Sequence, residues 1–382
     1  MSTEAVIAAA SEARYTRHPE ADVTSASLIA RAVEQVLTSA GLRTRDVDGF
    51  AVASFTISPD HAIDLAWRLG FVLRWLMEDT NGGASGLNML QHAAQAIGCG
   101  DAELIVIASG DRIGRAELAH LNATYNLATR DHLVPVDHGG PNALFAMLTA
   151  RHARTHGLTR EDYACIPLAQ RRWAHANPGA VYQTPLDLAE YLAAPTVAAP
   201  LNRYDCVPVV SGADAIIVTT TERARALNLP GVRIRALKAC HNFDDQQGDG
   251  LVTGFDSIAA DLWRTAEVTP ADLDAAYLYD DYPVMVAVQA AALGLVEDDL
   301  GRFLHQRLLE RQWPLNTSGG QLSAGQAGAA GGMHGLVEAI GQLTGRAPGR
   351  QLHPRLALVT GYGMTLYRHG ACHNAAVLER IR

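Results

Sequence analysis

Thr44-Arg45-Asp46-Val47-Asp48-Gly49-Phe50-Ala51-Val52 and Thr269-Pro270-Ala271-Asp272-Leu273-Asp274-Ala275-Ala276-Tyr277-Leu278 carry one pattern twice in a single chain. Each stretch reads as a capped helical turn, an Asp-x-Asp corner expected to be buried, and then a strand. Each is followed by an Asn-plus-glycine turn that opens a helix: Asn81-Gly82-Gly83-Ala84-Ser85-Gly86, and Asn316-Thr317-Ser318-Gly319-Gly320. A further strand comes after each turn, Leu104-Ile105-Val106-Ile107-Ala108-Ser109-Gly110 and Leu356-Ala357-Leu358-Val359-Thr360-Gly361. An ordered set of matched segments this far apart is the mark of a duplicated α/β unit, and a cleft between two such units is a natural ligand site.

The bulk numbers agree with two fused lobes. The chain has 382 residues, 48% of them hydrophobic and 19% charged, enough for a large core. A net charge of −9 argues against a nucleic-acid groove. The cysteines, Cys99, Cys165, Cys206, Cys240 and Cys372, are odd in number, scattered and without a CxxC pair, which fits a reducing compartment and no metal site. Met1-Ser2-Thr3-Glu4-Ala5-Val6 lacks a basic n-region, and no run reaches the roughly 18–20 apolar residues of a membrane span. The expected location is the cytoplasm, with no membrane span and no nucleic-acid partner.

Along the chain, Val6–Ala10 reads as a buried strand and Ser25–Ala40 as a helix, with Leu28, Ile29, Ala32, Val33, Val36 and Leu37 on one face and Gly41 as its end. Gly49–Phe55 and Leu73–Met77 read as strands. Leu87–Ile97 reads as a helix with small residues over much of its surface, suited to close packing. Leu104–Ala108 shows no polar alternation, as in a parallel strand covered on both faces. The stretch from about 112 to 200 breaks the pattern and reads as an inserted region of His- and Pro-rich loops, a helix at Ala143–His156 and the polar stretch Gln170-Arg171-Arg172-Trp173-Ala174-His175-Ala176-Asn177-Pro178. The reading divides the chain into an N-terminal half, 1–220, containing that insertion, and a C-terminal half, 221–382.

The residues also resemble a known family. Asn81–Gly86, Tyr204-Asp205-Cys206-Val207-Pro208 with Ser211-Gly212-Ala213-Asp214, Tyr279-Asp280-Asp281-Tyr282, and Asn316–Gly332 with Gly361-Tyr362-Gly363-Met364 are similar to the thiolase superfamily, in its sterol-carrier-protein and lipid-transfer-protein branch. The resemblance implies an α/β fold of two similar halves stacked as five layers, αβαβα. It also implies an acyl-CoA substrate, with coenzyme A entering as part of that substrate and no tightly bound cofactor. A homodimer or tetramer and a small zinc-ribbon/OB-fold partner protein are further implications.

The family's catalytic positions are not kept. The nucleophilic cysteine aligns with Gly83, and the histidine of His-Asp-x-Phe with Tyr279. The histidine of Gly-His-Pro falls in Gly325-Gln326-Ala327, and the late cysteine near Gly361-Tyr362-Gly363. Without a nucleophile, acyl transfer through an acyl-cysteine is closed. Retro-aldol cleavage needs only a base for the 3-hydroxyl proton and an oxyanion site. The resemblance includes cysteine-less steroid side-chain aldolases understood to use tyrosines.

Tyr279, Tyr282 and Tyr362, with Asp280 or Asp281 as acceptors, are therefore the candidate proton-transfer groups, or else wall residues. Gly83, Ala84, Ser85 and Gly363, with Gly319 and Gly320, are candidate oxyanion or substrate contacts, or else permit close helix packing. Asn316 is an oxyanion holder or a turn residue, and His334 a site residue or a packed one. Two other readings stay open: a non-catalytic acyl-CoA-binding subunit, and a conventional acetyl-CoA acyltransferase with another nucleophile.

Overall fold

The structure, a computed structural model, describes residues 4–243, 247–366 and 369–381. Met1–Thr3, which belong to the N-terminal reading above, lie outside the described residues. The first part of the chain runs β1 (Ala5–Thr16), α1 (Ser25–Ser39), β2 (Gly49–Ala53), α2 (Ala62–Arg68), β3 (Trp75–Asp79), α3 (Ser85–Cys99) and β4 (Leu104–Asp111). The region after it holds α4 (Arg115–Thr124), α5 (Pro141–His156), α6 (Arg160–Ala174), α7 (Leu188–Ala193) and a hairpin of β5 (Thr196–Ala198) and β6 (Leu201–Asn202). Then come β7 (Ser211–Thr220), α8 (Thr221–Ala226), β8 (Val232–His241), α9 (Gly254–Ala266), β9 (Ala275–Tyr277), α10 (Pro283–Ala292) and α11 (Leu300–Arg302). The chain closes with α12 (Gly320–Ala324), α13 (Gly331–Thr344), β10 (Leu356–Leu366) and β11 (His369–Arg380).

The strands lie in the order β3-β2-β4-β7-β1-β8-β11-β10-β9. Each half repeats one pattern. In the first, β1 pairs antiparallel with β7, β7 antiparallel with β4, and β4, β2 and β3 run parallel. In the second, β8 pairs antiparallel with β11, β11 antiparallel with β10, and β10 parallel with β9; a single parallel bridge from Ala276 to Leu315 stands where the first half has β3. Among the described residues, the half-sheets pair through Val6 opposite Arg233 and Ile7 opposite Val232.

The quoted repeat is visible atom by atom. The Asp46 carboxylate accepts from the Arg43 N–H and that of Asp272 from the Thr269 N–H, each at 2.8 Å, closing a helical turn. Asp48 then accepts from the N–H of Leu104 at 2.8 Å, and Asp274 from that of Leu356 at 3.0 Å, each tying the turn to the start of the next strand. The corners are not buried as expected: Asp48 is half-buried and Asp274 exposed, because two backbone donors satisfy the carboxylate from one side and water reaches the other.

Three apolar clusters make the layers. α1 and α2 cover one face of the first half-sheet through Leu28, Ile29, Val33, Phe50, Val106 and Ile217. α3 and α13 fill the middle, where Leu87, Leu90, Ile107 and Ile216 meet Tyr277, Met333, Leu336 and Val359. α9 and α10, joined by α5 and α6, cover the far face of the second half-sheet through Phe255, Leu262, Val286, Leu358, Val377, Phe145 and Ile166. The αβαβα stack follows. The middle helices touch backbone to backbone: a Cβ on Gly86 would strike the Gly332 carbonyl, and a Cβ on Gly332 the Gly83 carbonyl. That contact is why these helices start with small residues.

Two expectations are corrected in this region. The segment 112–200 is helical well beyond the expected Ala143–His156: α5 and α6 fold onto the second half-sheet with apolar faces of their own, while α4 buries none of its residues. Gln170 and Arg171, read as part of a polar stretch, are buried in α6; Gln170 reaches Asp280 and Arg171 reaches Ser323.

Candidate active site

Strand β9 delivers the chain to the centre of the molecule, and residues 278–282 lead from it into α10, bending at Asp281 and Tyr282. Tyr279, Asp281 and Tyr282 line a cavity of about 160 Å³, and Asp280 turns away from it. The cavity also holds Gly83, Gln326, Tyr362 and Gly363, and is walled by Phe55, Ile113, Leu118, Leu144, Phe145 and Val207. Among the described residues lining it there is no cysteine, lysine or arginine; Asp281 is the one carboxylate and His138 the one histidine.

Gly83 sits where the helix-opening turn meets β10. A Cβ here would run into the ring of Tyr279 and the carbonyl of Tyr362, so the tyrosine fills the space beside the turn. The Tyr279 hydroxyl oxygen accepts from Gln326 Nε2 at 3.0 Å, and Gln326 Nε2 also donates to Gln321 Oε1 at 3.1 Å. Acceptance from Gln326 leaves the Tyr279 O–H to donate. Burial first, then the charge of Asp281, pushes the Tyr279 pKa well above its ordinary value, so the hydroxyl is neutral at neutral pH.

Tyr282 donates to Asn142 Oδ1 at 2.7 Å and stacks on Phe145 with ring centroids 4.3 Å apart. The Tyr362 hydroxyl oxygen accepts from the Gly370 N–H. Gly363 closes on the Asn81 carbonyl, which also holds the Ala84 N–H at 3.1 Å. Ala84 is thus engaged within its own turn. Ser85 opens α3 with its hydroxyl buried and unpaired.

Asp281 is half-buried, and its Oδ1 is shut off from solvent without a hydrogen-bond partner. Burial, then the negative charge of Asp280, pushes its carboxyl up to about 8, against the pull of the backbone amides of Asp281 and Tyr282. Asp280 has a different task. It accepts from the N–H groups of Gln321 at 3.0 Å and Leu322 at 3.3 Å and from Gln170 Nε2 at 2.8 Å, capping α12. Burial pushes it up to about 6. Gly320, at φ +61°, is a glycine because its Cβ would meet the Asp280 carboxylate, and Gly319 because its Cβ would meet Ala174.

Asn316 donates from Nδ2 to the Leu278 carbonyl at 3.0 Å and supports the β9 segment from beneath. His334, near the start of α13, bonds Ser318 Oγ at 2.8 Å and Glu12 Oε2 at 2.9 Å. Asp280, Asn316, Gly320 and His334 line a separate small crevice. The structure therefore gathers Gly83, Tyr279, Asp281, Tyr282, Tyr362 and Gly363 in one cavity and places the other candidates outside it. Gln326 joins that cavity; the signal for it was its place opposite the Gly-His-Pro histidine.

The thiols are poorly placed for nucleophilic work. Burial pushes Cys206 up to about 12 and Cys372 up to about 11, the reverse of an activated thiolate.

Residues 238–379 match the family model described as thiolase C-terminal domain-like. The chain is 30% identical over 338 residues to the 17-hydroxy-3-oxo-4-pregnene-20-carboxyl-CoA lyase of Mycobacterium tuberculosis, covering 83% of this chain and 86% of that one. It is 29% identical over 332 residues to the steroid side-chain-cleaving aldolase of Thermomonospora curvata, covering 82% and 84%. A solved Ltp2-ChsH2(DUF35) aldolase superposes with a TM-score of 0.82 at 25% identity, covering 99% of this chain and 98% of that one. The chain belongs to the thiolase superfamily. Within it, the chain falls in the sterol-carrier-protein-type branch, with the steroid side-chain aldolases among its relatives.

Proposed function

We propose that this protein is an acyl-CoA carbon–carbon lyase that cleaves 3-hydroxyacyl-CoA thioesters by a retro-aldol reaction. The observation that carries this reading is the Tyr279 ring packed over Gly83, which leaves no room for a nucleophile at the helix-opening turn while presenting a neutral O–H to the cavity. A base in the cavity takes the proton of the 3-hydroxyl. The C2–C3 bond breaks, C3 becomes a carbonyl, and the electron pair passes to C2 as the thioester enolate. Tyr279 donates to the enolate oxygen, and Gln326 holds the tyrosine in place. Protonation at C2 then releases the shortened acyl-CoA. Coenzyme A takes part only as the carrier of the acyl group.

The named activities of the two actinobacterial relatives support the reaction class and favour a bulky, tertiary 3-hydroxyacyl group. The superposed relative is a complex with a DUF35 protein, and we extend that class of partner to this chain. Pairing of two copies through β3 is supported by the exposed apolar side chains around this edge strand, Trp67 at 80% and Val72 at 88% exposure. No helix among the described residues is long and apolar enough to cross a membrane. The reaction is assumed to run in the cytoplasm.

The test is incubation of the chain, co-expressed with a DUF35 partner, with 17-hydroxy-3-oxo-4-pregnene-20-carboxyl-CoA and with aromatic and aliphatic 3-hydroxyacyl-CoA esters. Release of a shortened acyl-CoA and a ketone or aldehyde is expected. Absence of cleavage across all of these esters would remove the reading.

A further inference from the structure

We propose that Asp281 is the catalytic base of the cleavage, taking the proton from the substrate's 3-hydroxyl, and that the tyrosines around it act only as donors and walls. The inference rests on the lyase reading above.

Three observations lead to it. First, Asp281 is the one carboxylate among the described residues lining the cavity, and its Oδ1 is buried with no hydrogen-bond partner. A buried acceptor without a donor is costly, and a substrate hydroxyl is a donor of the right kind. Second, the tyrosine oxygens have partners of their own: Tyr282 donates to Asn142, the Tyr362 oxygen accepts from Gly370, and the Tyr279 oxygen accepts from Gln326, which leaves its O–H to give a proton and not to take one. Third, charge at Asp281 opposes charge on its neighbours. The titratable groups around it are Tyr125 from the end of α4, Cys206 from the segment before β7, and Tyr279, Asp280 and Tyr282 from its own segment, with His138 and Tyr362 lining the same cavity. None is a lysine or arginine. A tyrosinate beside an ionised Asp281 would place two like charges in a dry cavity, and the carboxyl, at about 8, ionises before any of those tyrosines.

The step balances within the substrate and this one group. The hydroxyl proton passes to the Asp281 carboxylate, the O–C3 bond becomes a carbonyl as C2–C3 breaks, and the enolate pair at C2 recovers that proton from Asp281-H, directly or relayed through a water. The carboxyl ends as it began.

The experiment compares the wild-type complex with Asp281→Asn and Asp281→Glu, reading kcat and KM over pH 6–10 and the affinity for propionyl-CoA by calorimetry. The wild-type kcat/KM is expected to rise with pH and level off above about 8, the range to which the carboxyl is raised. Asp281→Asn is expected to lower kcat by about 10²–10⁴-fold, as loss of a general base does, with propionyl-CoA affinity within about threefold of wild type. Asp281→Glu keeps a carboxylate one methylene displaced and should retain part of the rate and the same rising limb. Retention of wild-type kcat by Asp281→Asn, or survival of the rising limb in it, overturns the proposal. So does a loss of rate matched by a loss of affinity and shared equally by Asp281→Glu, which marks a structural role. If His138→Gln removes the rising limb instead, the base is His138 and the proposal falls. A wild-type complex that cleaves no ester removes the lyase reading along with it, whereas a cleaving wild type with a cleaving Asp281→Asn removes only this inference.

Discussion

Gly83 and Tyr279 form a matched pair. In a turn that opens a helix, a side chain would normally project toward the cavity; here an aromatic ring occupies that volume. Restoring the family's sulfur at this one position should therefore not restore its chemistry. Gly83→Cys is expected to destabilise the fold by about 1–3 kcal/mol through overpacking, and to form no acyl adduct by mass spectrometry on incubation with acyl-CoA. Adding Tyr279→Ala should relieve part of that loss, because the ring is one of the two groups in the way and the Tyr362 carbonyl the other. Additive denaturation energies for the two substitutions would show that the ring is not what excludes the side chain. The exchange of the nucleophile for glycine and of a histidine for Tyr279 was legible in the sequence. The division of labour between Asp280 and Asp281 was not, since it depends on which of two adjacent carboxylates faces inward once the strand is placed.

Between residue and fold stand short elements whose caps reach the cavity. α12 has five residues and no side-chain cap of its own; Asp280 supplies the acceptor from another part of the chain. The connection continues: Asp280 fixes Gln321, Gln321 Oε1 receives Gln326 Nε2, and Gln326 holds the Tyr279 hydroxyl. Asp280→Ala should cost about 1–3 kcal/mol by urea unfolding, as buried donors on Gln321, Leu322 and Gln170 lose their acceptor. It should also lower kcat more than it raises KM, because the donor at Tyr279 would be loosened while the cavity walls stay. An unchanged kcat would break the proposed connection. At this scale the sequence revealed the regular elements well. α1 keeps the apolar face expected of it, and β4 is buried along its whole length. Of the helices between 115 and 193, α5 was legible as Ala143–His156, whereas α6 was hidden because Gln170, Arg171 and Arg172 look like loop composition until Asp280 and Ser323 are present to receive the first two.

At the scale of the molecule, the two halves share a core instead of meeting at a surface. α3 and α13 cross through glycine contacts, and among the ion pairs that cross the same boundary is one with a buried histidine: Glu12 on β1 belongs to the first half, His334 on α13 to the second. Burial alone would lower the His334 pKa, but the hydrogen bond and charge of Glu12, with the charges of Asp214 and Asp280, outweigh it and hold the imidazole up at about 9. The imidazolium is thus the cation of a carboxylate cluster in the joint between halves. Because the folded value lies above the ordinary 6.5, its contribution is fully present below about pH 6.5 and is lost as the pH rises through 9. The difference in unfolding free energy between wild type and His334→Gln should therefore be greatest near pH 6 and shrink by about 1–3 kcal/mol on going to pH 10, an order set by the free energy of a pKa unit. A difference that stays flat across that range would mean that shape, not charge, holds the halves together here. The same measurement separates joint from site: since His334 lies outside the cavity, its titration should move stability without creating the rising limb assigned to Asp281.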